Sequence, residues 1–147
     1  MDERQLEAWG TRIGKAVATP AVFALRGDLG AGKSVLARAI ARGAGVTAPM
    51  PSPTFNLLFE YETPAAVVSH LDLYRLEDPD EVWELGWRDL AHGKQIVLIE
   101  WPERAEALLP VPRWDIRLES SAHDPLHRIV TSAPVGNPPE IPEPQST

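Results

Sequence analysis

The stretch Gly27-Asp28-Leu29-Gly30-Ala31-Gly32-Lys33-Ser34 matches the pattern G-x-x-x-x-G-K-[ST] at every position. Glycines at 27, 30 and 32 let the backbone curl around an anion, so that successive N–H groups and the positive end of a following helix point at phosphate oxygens. In that geometry Lys33 reaches the terminal phosphates of a nucleotide and the Ser34 hydroxyl sits on Mg²⁺. A purely structural turn has no use for Gly-Lys-Ser at this spacing. Two carboxylates are candidates for the acidic partner of such a loop. Asp72 lies in His70-Leu71-Asp72-Leu73-Tyr74-Arg75, and Glu100 closes Gln95-Ile96-Val97-Leu98-Ile99-Glu100. Glu100 is the better placed, because the apolar run before it suits a strand buried on both faces, whose end aims a carboxylate at the sheet edge where ligands bind.

Other residues with chemical potential read more plainly. Pro51-Ser52-Pro53-Thr54-Phe55 interrupts regular structure. At this position a Ser/Thr-bearing loop can serve as a switch ordered by the terminal phosphate and Mg²⁺, and a proline-rich connector is the simpler alternative. The histidines at 70, 92, 123 and 127 show no metal-ligand spacing, and His70 reads as a packed strand histidine rather than a general base. There is no cysteine, which excludes disulfides, thiolate zinc sites and cysteine nucleophiles.

The elements that must position these groups follow from pattern. Leu6, Trp9, Ile13 and Val17 recur at helical spacing over residues 2–17, with Asp2 and Glu3 in the first turn and Pro20 beyond the end. Residues 21–25 read as a buried strand running into the glycine loop, and 34–42 as the helix leaving it, with Leu36, Ala37, Ile40 and Ala41 on one face. Phe55, Leu57, Phe59 and Tyr61 alternate with mostly polar neighbours, and a short turn at Thr63-Pro64 predicts an antiparallel hairpin with residues 65–71. A helix over 78–90 starts at Asp78-Pro79, carrying Trp83 and Trp87 as core or partner-facing residues. Residues 114–118 and 126–131 form an outer hairpin. The expected fold is α/β, a P-loop NTPase-like three-layer sandwich around a mixed, largely parallel sheet, spanning residues 1–133. Residues 134–147, with five prolines, read as a disordered tail.

Composition sets outer limits. A chain of 147 residues is one domain. Its net charge of −7 argues against a broad non-specific nucleic-acid surface. Neither a leader-like apolar segment nor a membrane-length apolar run is present, so the expectation is a cytoplasmic protein with no membrane partner.

The glycine loop, Ser52-Pro53-Thr54-Phe55, His70-Leu71-Asp72-Leu73-Tyr74-Arg75-Leu76 and Ile99-Glu100-Trp101-Pro102, in that order, resemble the bacterial TsaE (YjeE) family. That resemblance implies a cytoplasmic ATPase required for the threonylcarbamoyl modification of the adenosine beside the anticodon of tRNA. It also implies work with the partner subunits TsaD and TsaB, tRNA being met only through that complex. Carried over by motif, Gly30, Ala31, Gly32, Lys33, Ser34 and Val35 would hold the phosphates of ATP, and Ser34 and Glu100 would ligate Mg²⁺. Thr54 would belong to the switch loop, and activity would depend on Lys33, Asp72 and Trp101. Two departures are mild: Ser34-Val35 stands where the family usually has two threonines, and Phe55 where tyrosine is frequent. A small-molecule kinase and a slow nucleotide-gated switch are the alternatives. The first would need an arginine-rich lid, and the arginines at 75, 88, 104, 113, 117 and 128 are scattered.

Overall fold

The computed structural model describes residues 1–50 and 57–144. Helix α1 (Glu3–Ala16) begins with Asp2, whose side chain accepts from the Gln5 N–H while the Gln5 side chain accepts from Asp2 N–H, a capping box that fixes the first turn. Strand β1 (Ala21–Arg26) follows, buried along its whole length, and the glycine loop leads into α2 (Lys33–Gly43). Four further strands bracket the site: β2 (Leu58–Glu62), β3 (Val67–Asp72), β4 (Gln95–Glu100) and β5 (Arg113–Ser120). Strand β6 (Arg128–Val135) completes one six-stranded sheet of order β2-β3-β4-β1-β5-β6.

The four inner strands β3, β4, β1 and β5 are parallel, and the hairpins expected from short turns add β2 and β6 antiparallel at the two edges. A mixed, largely parallel sheet is what the sequence pattern predicted. Its register places Leu25 opposite Glu100 on β4, and Glu100 opposite Asp72 on β3. The carboxyl-terminal ends of β1, β3 and β4 therefore converge at one edge of the sheet, where ligands of parallel α/β sheets bind.

Two apolar clusters lie on opposite faces. Leu6, Trp9 and Ile13 of α1 and Leu36, Ala37 and Ile40 of α2 pack against Phe23, Leu25, Val68 and Leu98. On the other face Val22, Ala24, Val97 and Ile99 meet Leu73, Val82, Trp87 and Leu109. That second layer is made of 3₁₀ segments, Pro79–Leu85, Trp87–Asp89 and Pro102–Leu108. The continuous helix expected over 78–90 is thus corrected. Gly86, at φ 74°, adopts the left-handed conformation that stops one piece and starts the next. Of its tryptophans, Trp87 is buried and donates to Leu108 O, whereas Trp83 is 43% exposed.

A second correction concerns the carboxyl-terminal segment. Strand β6 carries pairing to Val135, with Pro134 opposite Trp114 on an edge where a missing N–H is tolerated. Beyond it, Trp114 Nε1 donates to Pro139 O, Trp9 Nε1 to Pro142 O, and Ile141 packs against the α1-side core. Over its described part, residues 134–144, the segment lies on the body of the protein. A count of prolines and apolar residues could not anticipate acceptors for two indoles far away in sequence.

Candidate functional site

Positive φ at Gly27 (146°), Gly30 (81°) and Gly32 (106°) shapes the loop between β1 and α2. At Gly27 a Cβ would come within 2.4 Å of Leu118 O, so both conformation and space require glycine there. From the far edge of the sheet Arg128 reaches across: its Nε donates to Ala31 O at 2.8 Å and an Nη to Gly30 O at 3.2 Å. These bonds hold the loop's carbonyls from one side. In the trans Ala31–Gly32 peptide the Gly32 N–H is anti to the Ala31 carbonyl that Arg128 holds, so it is directed away from that hydrogen bond.

Lys33, only 4% exposed, donates to Gly27 O and lies with its ammonium 3.2 Å from the centre of the Trp101 ring system. Burial pushes this ammonium's pKa down, opposed by the carboxylates of Glu103, Glu100, Asp72 and Asp28. Trp101 is set in place by its own backbone, at φ 57°, where the chain leaves β4 for the next 3₁₀ segment. Tyr74 tilts against it at 4.9 Å.

Behind the lysine runs a buried polar chain. Ser34 Oγ donates to Glu100 Oε1 at 2.8 Å, and His70 Nε2 donates to Glu100 Oε2 at 2.5 Å. Glu100 and His70 are 2% and 3% exposed. Burial alone would raise the Glu100 pKa, but the hydrogen bonds from His70 and Ser34 and the charge of Lys33 hold it below the usual carboxylate range. Asp72 behaves oppositely. Burial raises its pKa, the Tyr74 N–H bond to Oδ1 opposes this, and the neighbouring Glu100 charge adds to the rise. Two adjacent carboxyl groups are thereby pushed apart in proton affinity, a pattern of sites that handle charge or protons.

This arrangement suits a nucleotide and a hard divalent cation. Among the described residues no group of three His, Cys, Asp or Glu side chains could hold a metal by itself. A hydroxyl and a carboxylate beside a phosphate-cradling loop instead match the partial protein ligation Mg²⁺ accepts when phosphates complete its shell. Next to the loop, a cavity of about 370 Å³ lies between the start of α1 and the β5–β6 turn, lined by Glu3, Leu6, Gly32, Val35, Leu126 and Arg128.

A family model described as "Threonylcarbamoyl adenosine biosynthesis protein TsaE" matches residues 1–130. The chain belongs to the TsaE family. A Bacillus subtilis (strain 168) protein named "tRNA threonylcarbamoyladenosine biosynthesis protein TsaE" is 38% identical over 116 residues, covering 79% of this chain and 71% of that protein. A Haemophilus influenzae protein of the same name is 44% identical over 86 residues, 58% of this chain and 54% of that one. Among solved structures, "Crystal structure of Bacillus subtilus YdiB" superposes with a TM-score of 0.70 at 27% identity, covering 90% of this chain and 81% of that one.

For a TsaE-family chain, the positions read from sequence gather well. Gly30, Ala31, Gly32, Lys33, Ser34 and Val35 lie in the loop and first turn of α2, and Asp72, Glu100 and Trp101 lie at the ends of β3 and β4 facing it. Thr54 and the rest of 52–55 lie outside the described residues. Sequence pattern does not reveal two contacts. His70 is the packed strand histidine expected, 3% exposed, and its bond to Glu100 is the unforeseen part; its place two residues before Asp72 on one strand, which sets both side chains on the same face, is the available signal. Arg128 had no local signal, since it meets the loop only through tertiary folding.

Proposed function

We propose that the chain is a Mg²⁺-dependent ATP-binding and ATP-hydrolysing accessory protein of tRNA threonylcarbamoyladenosine biosynthesis. It acts in the cytoplasm with the TsaD and TsaB subunits and meets tRNA through their complex. The observation that carries this reading is the Ser34–Glu100–His70 chain beneath the glycine loop. Ser34 and Glu100 would hold Mg²⁺, which when bound neutralises charge on the terminal phosphate oxygens. Lys33 supplies the second positive charge there, and the Trp101 face holds its ammonium in a dry setting where charge acts strongly. Asp72, of raised proton affinity, would orient the attacking water.

Catalysis of this kind depends on positioning and charge neutralisation, and an arginine supplied by a partner is worth about 10³–10⁵ in rate. Several arginines are committed elsewhere: Arg26 and Arg113 pair with Asp115, Arg26 also with Glu106, and Arg128 holds the loop carbonyls. Exposed Trp83 and Tyr74 offer aromatic area for a partner to cover. No helix among the described residues is long and apolar enough to cross a membrane. Steady-state ATP hydrolysis by the chain alone and with saturating TsaB–TsaD complex tests the proposal. Slow turnover accelerated by partners is expected; fast turnover unchanged by them, or phosphoryl transfer to a small acceptor, would overturn it.

A further inference from the structure

The segment after β6 lies beyond residue 130, where the family match ends, and it makes contacts the nucleotide site does not use. Gly136, at φ 77°, turns the chain so closely past Val111 and Pro112 that a Cβ there would come within 2.9 Å of Val111 Cγ1. The chain then runs Pro138-Pro139-Glu140-Ile141-Pro142-Glu143-Pro144 with no helix or strand. Trp114 Nε1 donates to Pro139 O at 2.7 Å, and Trp9 Nε1 donates to Pro142 O at 2.8 Å. Between them Ile141 turns inward against the core cluster containing Trp9 and Ile13, while Glu140 is exposed.

Those two acceptors are three residues apart, the repeat of the polyproline II helix, and they bracket the sequence Pro-Glu-Ile-Pro. Paired aromatic side chains whose donors meet carbonyls of a PxxP segment are how proline-rich peptides are bound, because the ligand is stiff before it docks. Buried indole N–H groups need an acceptor, and Trp9 is 0% exposed. We propose that Trp9, Trp114 and the apolar floor between them form a recognition groove for a Pro-x-Ile-Pro peptide in the polyproline II conformation. The chain's own residues 138–143 are its resident, displaceable ligand. This inference is independent of the nucleotide reading.

Indole N–H resonances of the full-length protein test it. In the wild-type chain, Trp9 and Trp114 indole protons exchange slowly with solvent and Trp83 quickly. Ile141→Asp puts a charge against the apolar floor and frees the strap, so both resonances shift and exchange fast. A synthetic peptide of residues 136–147, spin-labelled at the position of Glu140, then restores the two shifts and broadens both signals. It binds the opened variant more tightly than the wild type, where the resident segment competes at an effective concentration on the order of millimolar. Adding Trp114→Phe to the opened variant keeps an aromatic side chain, smaller than the indole, removes the donor and weakens peptide binding about tenfold. Unchanged indole signals in Ile141→Asp would overturn the proposal. So would failure of the opened variant to take up peptide at millimolar concentration, or equal binding of a peptide with both bracketing prolines changed to alanine. Should Ile141→Asp fail to fold, the milder Ile141→Ser takes its place in the same measurements, with the same outcomes supporting or overturning the groove.

Discussion

Asp72 and Glu100 are chemically similar neighbours separated by their surroundings. Native Asp72 holds its proton more tightly than the unfolded chain, whose reference value is 3.8, so stability falls as pH rises from 3.8 through the raised native value. At neutral pH the full cost is present. Asp72→Asn keeps the oxygen that accepts from Tyr74 N–H and does not titrate, so the nucleotide-free variant is expected to be more stable than wild type at pH 7. Urea denaturation across pH checks this, and the advantage should vanish below pH 3.8. Glu100→Gln should do something different. It removes the charge beside Ser34 and weakens Mg²⁺-dependent nucleotide binding, whereas Asp72→Asn lowers turnover with binding largely kept. Mg²⁺ titrations of nucleotide binding in the two variants decide the assignment, and the reverse order would exchange their roles.

At the scale of elements, the packing of α1 on α2 governs how the phosphate loop is backed. The helices touch through backbone. A Cβ at Gly14 would lie 2.0 Å from Ile40 O, and one at Gly43 would lie 2.1 Å from Thr11 O. Neither neighbour is a side chain that can swing aside. Gly14→Ala should therefore destabilise the protein by about 1–3 kcal/mol despite its better helix propensity, because overpacking against rigid backbone forces the helices apart. Thermal unfolding measures the loss. A stabilised Gly14→Ala would mean that the helices sit farther apart than described. Since α1 also lines the cavity beside the loop through Glu3 and Leu6, weakened nucleotide affinity should accompany the change.

For the whole molecule, the proposed nucleotide binding would be linked to folding. The loop, β3, β4 and β6 all contribute to one site that exists only in the folded chain. ATP with Mg²⁺ at a hundredfold its dissociation constant should stabilise the protein by about 2.7 kcal/mol. For a domain of this size that raises the melting temperature by roughly 5–11 °C. Lys33→Ala should remain folded without ligand, lose hydrolysis and show a much smaller shift; scanning calorimetry with and without Mg²⁺-ATP gives both readings. A full-sized shift together with wild-type turnover in Lys33→Ala would remove the lysine from the site.

Local chemistry made much of this protein legible without coordinates. Positive-φ glycines before Lys33-Ser34, a doubly apolar strand ending in Glu100, and short turns that must close antiparallel hairpins are each dictated within a few residues, and the sheet obeys them. Some features needed the fold. His70 became a partner of Glu100 because parallel register sets β3 beside β4, and Arg128 met Gly30 and Ala31 from about 97 residues away in sequence. Gly86 broke an expected helix into 3₁₀ pieces through its left-handed backbone, a choice its neighbours did not force. The proline-rich end read as unstructured because its composition buries little by itself. Only the tertiary structure sets Trp9 and Trp114 where two of its carbonyls satisfy them, and hydrogen-bond satisfaction between distant segments is not encoded in either segment alone.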